Sequence, residues 1–379
     1  MTKLPTWADV VLVPLISLIL AALVSAIVLL AIGQSPWEAL KVMVEGALLS
    51  PSGWGYTLYY ATSFIFTGLA VVVAFHAGLF NIGGEGQAQL GGLGVALCCL
   101  FIPWPHWTIA LLAATVAAAA FGAAWAAVPA WLQAKRGSHI VITTIMFNYI
   151  AAALLIYMLV EVLKPAGQMD PASARFPAEV GLPHFNEIPG LSWMFYRYDD
   201  AGVLKLTKDG LPQTSKVPAN VTFFIALLGA VFVWALLWQT KLGFEIRSFG
   251  KSQKAAAYAG ISAFKITMIA MLLSGAFAGL MAINNVMGQA ERLLQNSAEG
   301  AGFIGIAVAL MGRNHPLGVV LAAILFGFLY QGGAALGLNT TIPIELRIVV
   351  QGLVILFTGA LDVMVRMMLG KLFFAKKGA

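Results

Sequence analysis

Seven polar side chains stand out in an otherwise apolar chain: Asn81, Glu85, Gln87, Gln89, Asn284, Asn285 and Glu299. Amides and a few carboxylates at membrane depth suit a polar, neutral solute better than an ion. Their chemistry is binding and passage, and these residues are candidates for the lining of a translocation path. Bond-making chemistry has no comparable set. The histidines (His76, His106, His139, His184 and His315) fall in no HExxH or His–carboxylate spacing. No GxSxG nucleophile elbow occurs. Cys98 and Cys99 are adjacent, which suits neither a disulfide nor a zinc site and reads as small apolar packing. Gly250-Lys251-Ser252 mimics the end of a phosphate loop, but Glu245 stands where that loop needs its first glycine and would repel phosphate. The expectation is no catalytic residue, no metal and no cofactor bound by this chain.

The candidates cluster in two glycine-rich stretches, Ala77–Gly94 (AGLFNIGGEGQAQLGGLG) and Asn296–Gly312 (NSAEGAGFIGIAVALMG), with Asn284 and Asn285 shortly before the second. Both stretches carry Glu-Gly and then Val-Ala-Leu: Glu85-Gly86 with Val95-Ala96-Leu97, and Glu299-Gly300 with Val308-Ala309-Leu310. They read either as an inverted repeat, a plan on which transporters are built, or as a chance likeness of small apolar residues. Glu85 also has two readings: a carboxylate favoured at a helix start by the helix dipole, or a wall of the path. Asn148, in TTIMFNYI, reads first as a link between helices and second as lining.

The elements that must position these groups follow from composition. Of 379 residues 60% are hydrophobic and 10% charged, and mean hydropathy is +0.88. Soluble domains carry about 25% charge, so lipid must solvate much of this chain. Soluble enzymes, nucleic-acid-binding domains, coiled coils and disordered chains are excluded. The fold class expected is an all-α polytopic membrane protein of about ten transmembrane helices. The apolar runs are Val10–Ile32, Thr57–Phe75, Gln87–Ile102, Thr108–Leu132, Ile140–Leu163, Ala219–Trp238, Lys265–Asn285, Gly302–Met311, Leu317–Leu336 and Ile344–Arg366. The third and eighth are glycine-rich or short, and such interrupted spans are tolerated only where protein or an aqueous cavity surrounds them. Lysines and arginines in short loops, among them Lys135, Arg136, Lys241, Arg247 and Lys251, place both termini in the cytoplasm and explain the net charge of +6. The loop 164–218, with seven prolines and a WMFYRYDD run, is then periplasmic. Its Trp193, Phe195, Tyr196 and Tyr198 suit an interfacial belt or a docking face, and Val203–Asp209 with Gly210 suggests a hairpin. On the cytoplasmic side, Ser252 can cap a short helix over Gln253–Ala259 that ends at Gly260.

Three ordered motifs carry a family resemblance: AGLFNIGGEGQ (77–87), T-x-x-G-x-x-x-R-x-x-G (240–250) with AAAYAGI (255–261), and GFIGIAVALMGRNHPLG (302–318). Over roughly residues 57–365 the chain resembles the inner-membrane permeases of bacterial ABC importers for ribose, branched-chain amino acids and nucleosides, and it is most similar to the nucleoside or simple-sugar subgroup. The resemblance implies a single permease domain over 1–379 with 240–262 as the segment that couples to an ATPase, including Gly243, Arg247, Gly250, Ala255, Ala256 and Gly260. It implies two ATP-binding subunits that use the ATP, a second permease, expected to be a paralogue forming a heterodimer, and a periplasmic or lipid-anchored binding protein. Nucleosides are the expected solute. A simple sugar such as ribose, branched-chain amino acids, or an ion-coupled secondary carrier are the alternatives. Ser252 departs from the family's frequent Asn, and residues around 196–216 are additional to its outer loop.

Overall fold

A computed structural model describes residues 12–31, 33–199, 202–207 and 210–339, with 348, 349, 352, 353, 365 and 367. Among these the chain is helical, with no strand beyond isolated antiparallel bridges. The helices are α1 (Val13–Ala31), α2 (Pro36–Val44), α3 (Pro51–His76), α4 (Gly84–Phe101), α5 (Trp107–Arg136), α6 (Ile140–Tyr157), α7 (Thr222–Gln239), α8 (Lys241–Lys251), α9 (Gln253–Tyr258), α10 (Ala263–Ala282), α11 (Ala301–Met311) and α12 (Pro316–Asn339). Wide π-type turns extend α6 through Met158–Leu163 and α10 through Ile283–Ala290.

Among the described residues six helices are long and apolar enough to cross a membrane: α3, α5, extended α6, α7, extended α10, and α12 over Pro316–Gly337. Nine of the expected apolar runs coincide with helices. The tenth run, Ile344–Arg366, and the C-terminal lysines lie outside the described residues apart from a few positions.

Contacts divide the chain into two compact units, Met1–Gly53 with Phe328–Ala379, and Trp54–Gly327. In the first unit, Ser35 caps α2 by accepting the Glu38 amide at 3.4 Å, and Pro36 opens the helix. Gln331 donates to the Gly46 carbonyl at 3.4 Å.

The second unit carries the site. Its α3 has 83% of its apolar window buried against 33% in α5 and 28% in α6 and α7, so α3 is central and the others face outward. The helix α4 is buried almost throughout although it carries Glu85, Gln87 and Gln89. It packs on α5 and α10 along a seam of small residues, where Gly91 lies against Gly279 and Gly275 lies against Gly122. Such residues let helix backbones approach closely where lipid gives no hydrophobic drive between spans.

The loop 164–218 is anchored by Phe185, Phe195, Val217 and Ala219, packed with Leu58, Ile188, Leu191 and Phe223. The described residues between 195 and 215 pair in antiparallel fashion, with Arg197 N–H on Gln213 O at 2.9 Å, Gln213 N–H on Lys205 O at 2.8 Å and Lys205 N–H on Arg197 O at 2.8 Å. Of the aromatic run, Phe195 is buried while Trp193 and Tyr198 are exposed.

Candidate functional site

Two helices begin inside the second unit, and their N-terminal ends meet there. After α3 ends at His76, the chain turns at Gly78 and runs without helix from Leu79 to Gly83 before α4 starts. On the other arm, the extension of α10 ends at Ala290, and a non-helical segment leads through Gly300 into α11. A side chain at Gly302 would collide with the backbone N and Cα of Glu85, so the two starts lie backbone to backbone and only glycine fits at 302. Helix starts leave amide N–H groups unpaired and carry a positive dipole end. Neither start is capped by its own preceding residue, Gly83 or Gly300.

Glu85 supplies the missing cap across the junction. Its Oε1 accepts the Gly300 amide and its Oε2 accepts the Gly302 amide, each at 2.9 Å. A carboxylate in the first turn of α4 thus holds the first turn of α11, 215 residues away, while its charge sits where both dipoles favour an anion.

Apart from Gln89, whose Oε1 is buried and accepts no hydrogen bond, the amides expected as lining are hydrogen-bonded around this junction. Asn81 Oδ1 accepts the Gly83 amide at 2.9 Å, and its Nδ2 donates to Gln87 Oε1 at 2.9 Å and to Ser274 Oγ at 2.8 Å. Ser274 then donates to the Ala70 carbonyl of α3 at 2.7 Å. From α6, Asn148 accepts the Gly86 amide and donates to Ile82 O, both at 2.9 Å, so it ties α6 to the start of α4. On the second arm, Asn284 donates to Tyr59 O at 3.0 Å and Ser63 Oγ at 2.9 Å, and accepts from Asn220 at 3.2 Å and Thr222 at 3.0 Å. Asn285 accepts from Ser63 at 2.7 Å and donates to Ser297 O at 3.0 Å, which fixes the segment entering α11. That segment is also zipped to the long loop by Ser173 N–H on Leu293 O at 3.0 Å and Phe176 N–H on Glu291 O at 2.8 Å. Glu299 is exposed at the edge of the junction.

The sequence reading omits Ser63, Asn220, Thr222 and Ser274. A hydroxyl or amide inside an apolar run, as in YYATSFIF or MLLSGAF, is the signal that marks such groups, because each needs a partner at membrane depth.

The segment 240–262 forms a second assembly. Thr240 ends α7 and caps α8 by accepting the Gly243 amide at 3.0 Å, while Gly243 presses on the last carbonyls of α7. Gly250 lies against the His76 carbonyl and the Gly78 amide, so α8 abuts the elbow that separates α3 from α4. Arg247 stacks over Trp238 at 5.9 Å from its ring centroid. Trp238 also meets His76 at 5.2 Å and His315 at 5.1 Å, which brings together two histidines distant in sequence. His315 stands in the turn from α11 to α12. Beyond α8, Ser252 caps α9 on the Ala255 amide at 3.3 Å and Gly260 follows at φ 78°. Ala256 is the buried residue of α9, whereas Lys254, Ala255 and Tyr258 face outward.

Comparison with known proteins agrees with this architecture. Residues 54–359 match the family described as the branched-chain amino acid transport system / permease component. The chain is 35% identical to the guanosine ABC transporter permease protein NupP of Bacillus subtilis over 97% of both chains. It is 32% identical to the nucleoside ABC transporter permease protein NupB of Lactococcus lactis, over 95% of this chain and 93% of the relative. It is also 32% identical to the glucose ABC transporter permease protein TsgB13 of Haloferax volcanii, over 91% of this chain and 86% of the relative. A second guanosine or nucleoside permease from each of the two bacteria matches at 28% and 26% identity. No solved structure matches the chain. With several apolar helices and a match over most of its length, the chain is a multi-pass membrane protein that belongs to this family of ABC transporter permeases.

Proposed function

We propose that this permease provides half of a path that carries nucleosides inward across the bacterial inner membrane, driven by ATP hydrolysis on separate subunits. The observation that carries the substrate is the end-to-end similarity to a guanosine permease. The junction supports a neutral cargo. Paired half-helix starts in a transporter ordinarily attract an anionic group of the solute, and here Glu85 already fills that role. Asn81, Glu85, Gln87, Gln89, Asn284, Asn285 and Glu299 form the walls around it.

The basic short loops orient 240–262 and both termini toward the cytoplasm and 164–218 toward the periplasm. An ATPase subunit then docks on the exposed face of α9, and Gly243, Arg247, Gly250, Ala255, Ala256 and Gly260 shape that contact. Motion passes from Gly250 to the elbow before α4, and from Arg247 through Trp238 to His315 after α11. A single movement of α8 would shift both broken helices at once. The second permease is a paralogue, a reading supported by the paired relatives in two bacteria. A binding protein delivers solute onto the outer loop, where Trp193 and Tyr198 are exposed.

A sugar cargo is the second reading, favoured by the glucose permease relative. Competition separates the two. With the permease reconstituted beside its partner subunits, uptake of radiolabelled guanosine should be competed by other nucleosides and not by glucose. Competition by glucose alone would move the cargo to sugars.

A further inference from the structure

The polar groups around the junction divide into two kinds. Asn81, Gln87, Asn148, Asn284 and Asn285 each hydrogen-bond other parts of the protein. Gln89 differs: its residue is 7% exposed, and its Oε1 is enclosed and accepts no hydrogen bond. An enclosed carbonyl oxygen without a donor is destabilising, because it gives up its hydrogen bonds to water and gains none in the fold. A leucine or methionine would fill the same place in a helix without that loss.

Glu85, Gln89 and Gly92 stand at i, i+4 and i+7 on α4, on one stripe of the helix. Below Gln89, Glu85 binds the first amides of α11. Above it, a side chain at Gly92 would point at Val286, Leu293 and Ser297, the extension of α10 and the segment entering α11. Gln89 therefore lies between two points where α4 faces the other broken arm. Ser297 is the residue whose carbonyl Asn285 holds.

We propose that Gln89 Oε1 is a recognition contact for the transported solute, accepting a hydrogen bond from one of its N–H or O–H groups as it passes the junction. The inference rests on the transport reading above and deepens it. The ligand class is a neutral, donor-rich molecule, and a nucleoside offers donors from both its base and its ribose. An anion would gain nothing from a carbonyl oxygen and would meet the Glu85 charge one turn away.

The test uses the complete importer in proteoliposomes, with wild type and Gln89→Met. Methionine keeps length and apolar volume and removes the acceptor. Guanosine uptake by the variant should show an apparent KM raised roughly tenfold, the size of one lost hydrogen bond. Its thermal stability should equal or exceed that of wild type. Inosine, which lacks the exocyclic amine, and 2′-deoxyguanosine, which lacks one hydroxyl, locate the donor, because the analogue missing it should transport alike in both proteins. Unchanged guanosine kinetics in the variant would overturn the proposal, and so would failure to assemble, which would make Gln89 a packing group. A wild-type importer that takes up no nucleoside would instead refute the transport reading.

Discussion

Replacing Glu85 by Gln tests the junction with little change of shape. The carboxylate offers two acceptor oxygens to two amides at 2.9 Å. A glutamine offers one oxygen and turns an NH2 group toward the other amide, so one buried N–H loses its partner and faces a second donor. Losing one charge-assisted hydrogen bond is destabilising by about 1.5–3 kcal/mol, and losing the anion between two helix starts adds about 1 kcal/mol. The total is roughly 2.5–4 kcal/mol. With an unfolding entropy near 2 cal/mol/K per residue, 379 residues convert that range to a fall in Tm of about 3–5 °C. Cys98 and Cys99 supply the readout, since both are free and buried, and a thiol-reactive dye reports their exposure as the purified permease is heated. A variant that melts within 1 °C of wild type and transports normally would show that Glu85 does not hold α11.

Gly302→Ala should prevent stable assembly altogether, because the new methyl group would collide with the Glu85 backbone; normal yield of folded permease from size-exclusion chromatography would contradict this packing. Asn284→Ala leaves Tyr59 O, Asn220 and Thr222 without their shared partner and should lower Tm by several degrees in the same dye assay; an unchanged Tm would remove the second network from the account. Exchanging Arg247 for Ala should leave membrane insertion intact and separate ATP hydrolysis from uptake, with hydrolysis retained and uptake reduced at least tenfold, because its stacking on Trp238 is lost; normal uptake would sink the coupling assignment.

Local features were legible in the sequence and long-range pairings were not. Apolar runs marked nine helices because length and composition at membrane depth are strongly constrained. Ser252 and Gly260 delimited α9, since capping is written in neighbouring residues. Even the weakness of the third and eighth runs was informative: α4 falls outside the six long apolar helices and α11 has only 11 residues. The short α2 is signalled by Ser35-Pro36, but its nine residues are too few to register as a span. Glu85 read as a helix-start carboxylate, and it is one, yet the helix it caps is α11 rather than its own. Nothing in local spacing joins residues 85 and 300, because that contact depends on two chain reversals bringing distant helix starts together. The same holds for His76, Trp238 and His315, which looked scattered until the elbow and the turn after α11 placed them around one indole.

We propose that ATP on partner subunits powers transport through this chain. The direct measurement is guanosine uptake into proteoliposomes holding the permease with its partner permease, ATPase and binding protein, with and without MgATP on the ATPase side. Uptake should require ATP and the binding protein, and vanish when the ATPase is omitted. Uptake by this chain alone, driven by a proton or sodium gradient, would contradict the account and make it a secondary carrier.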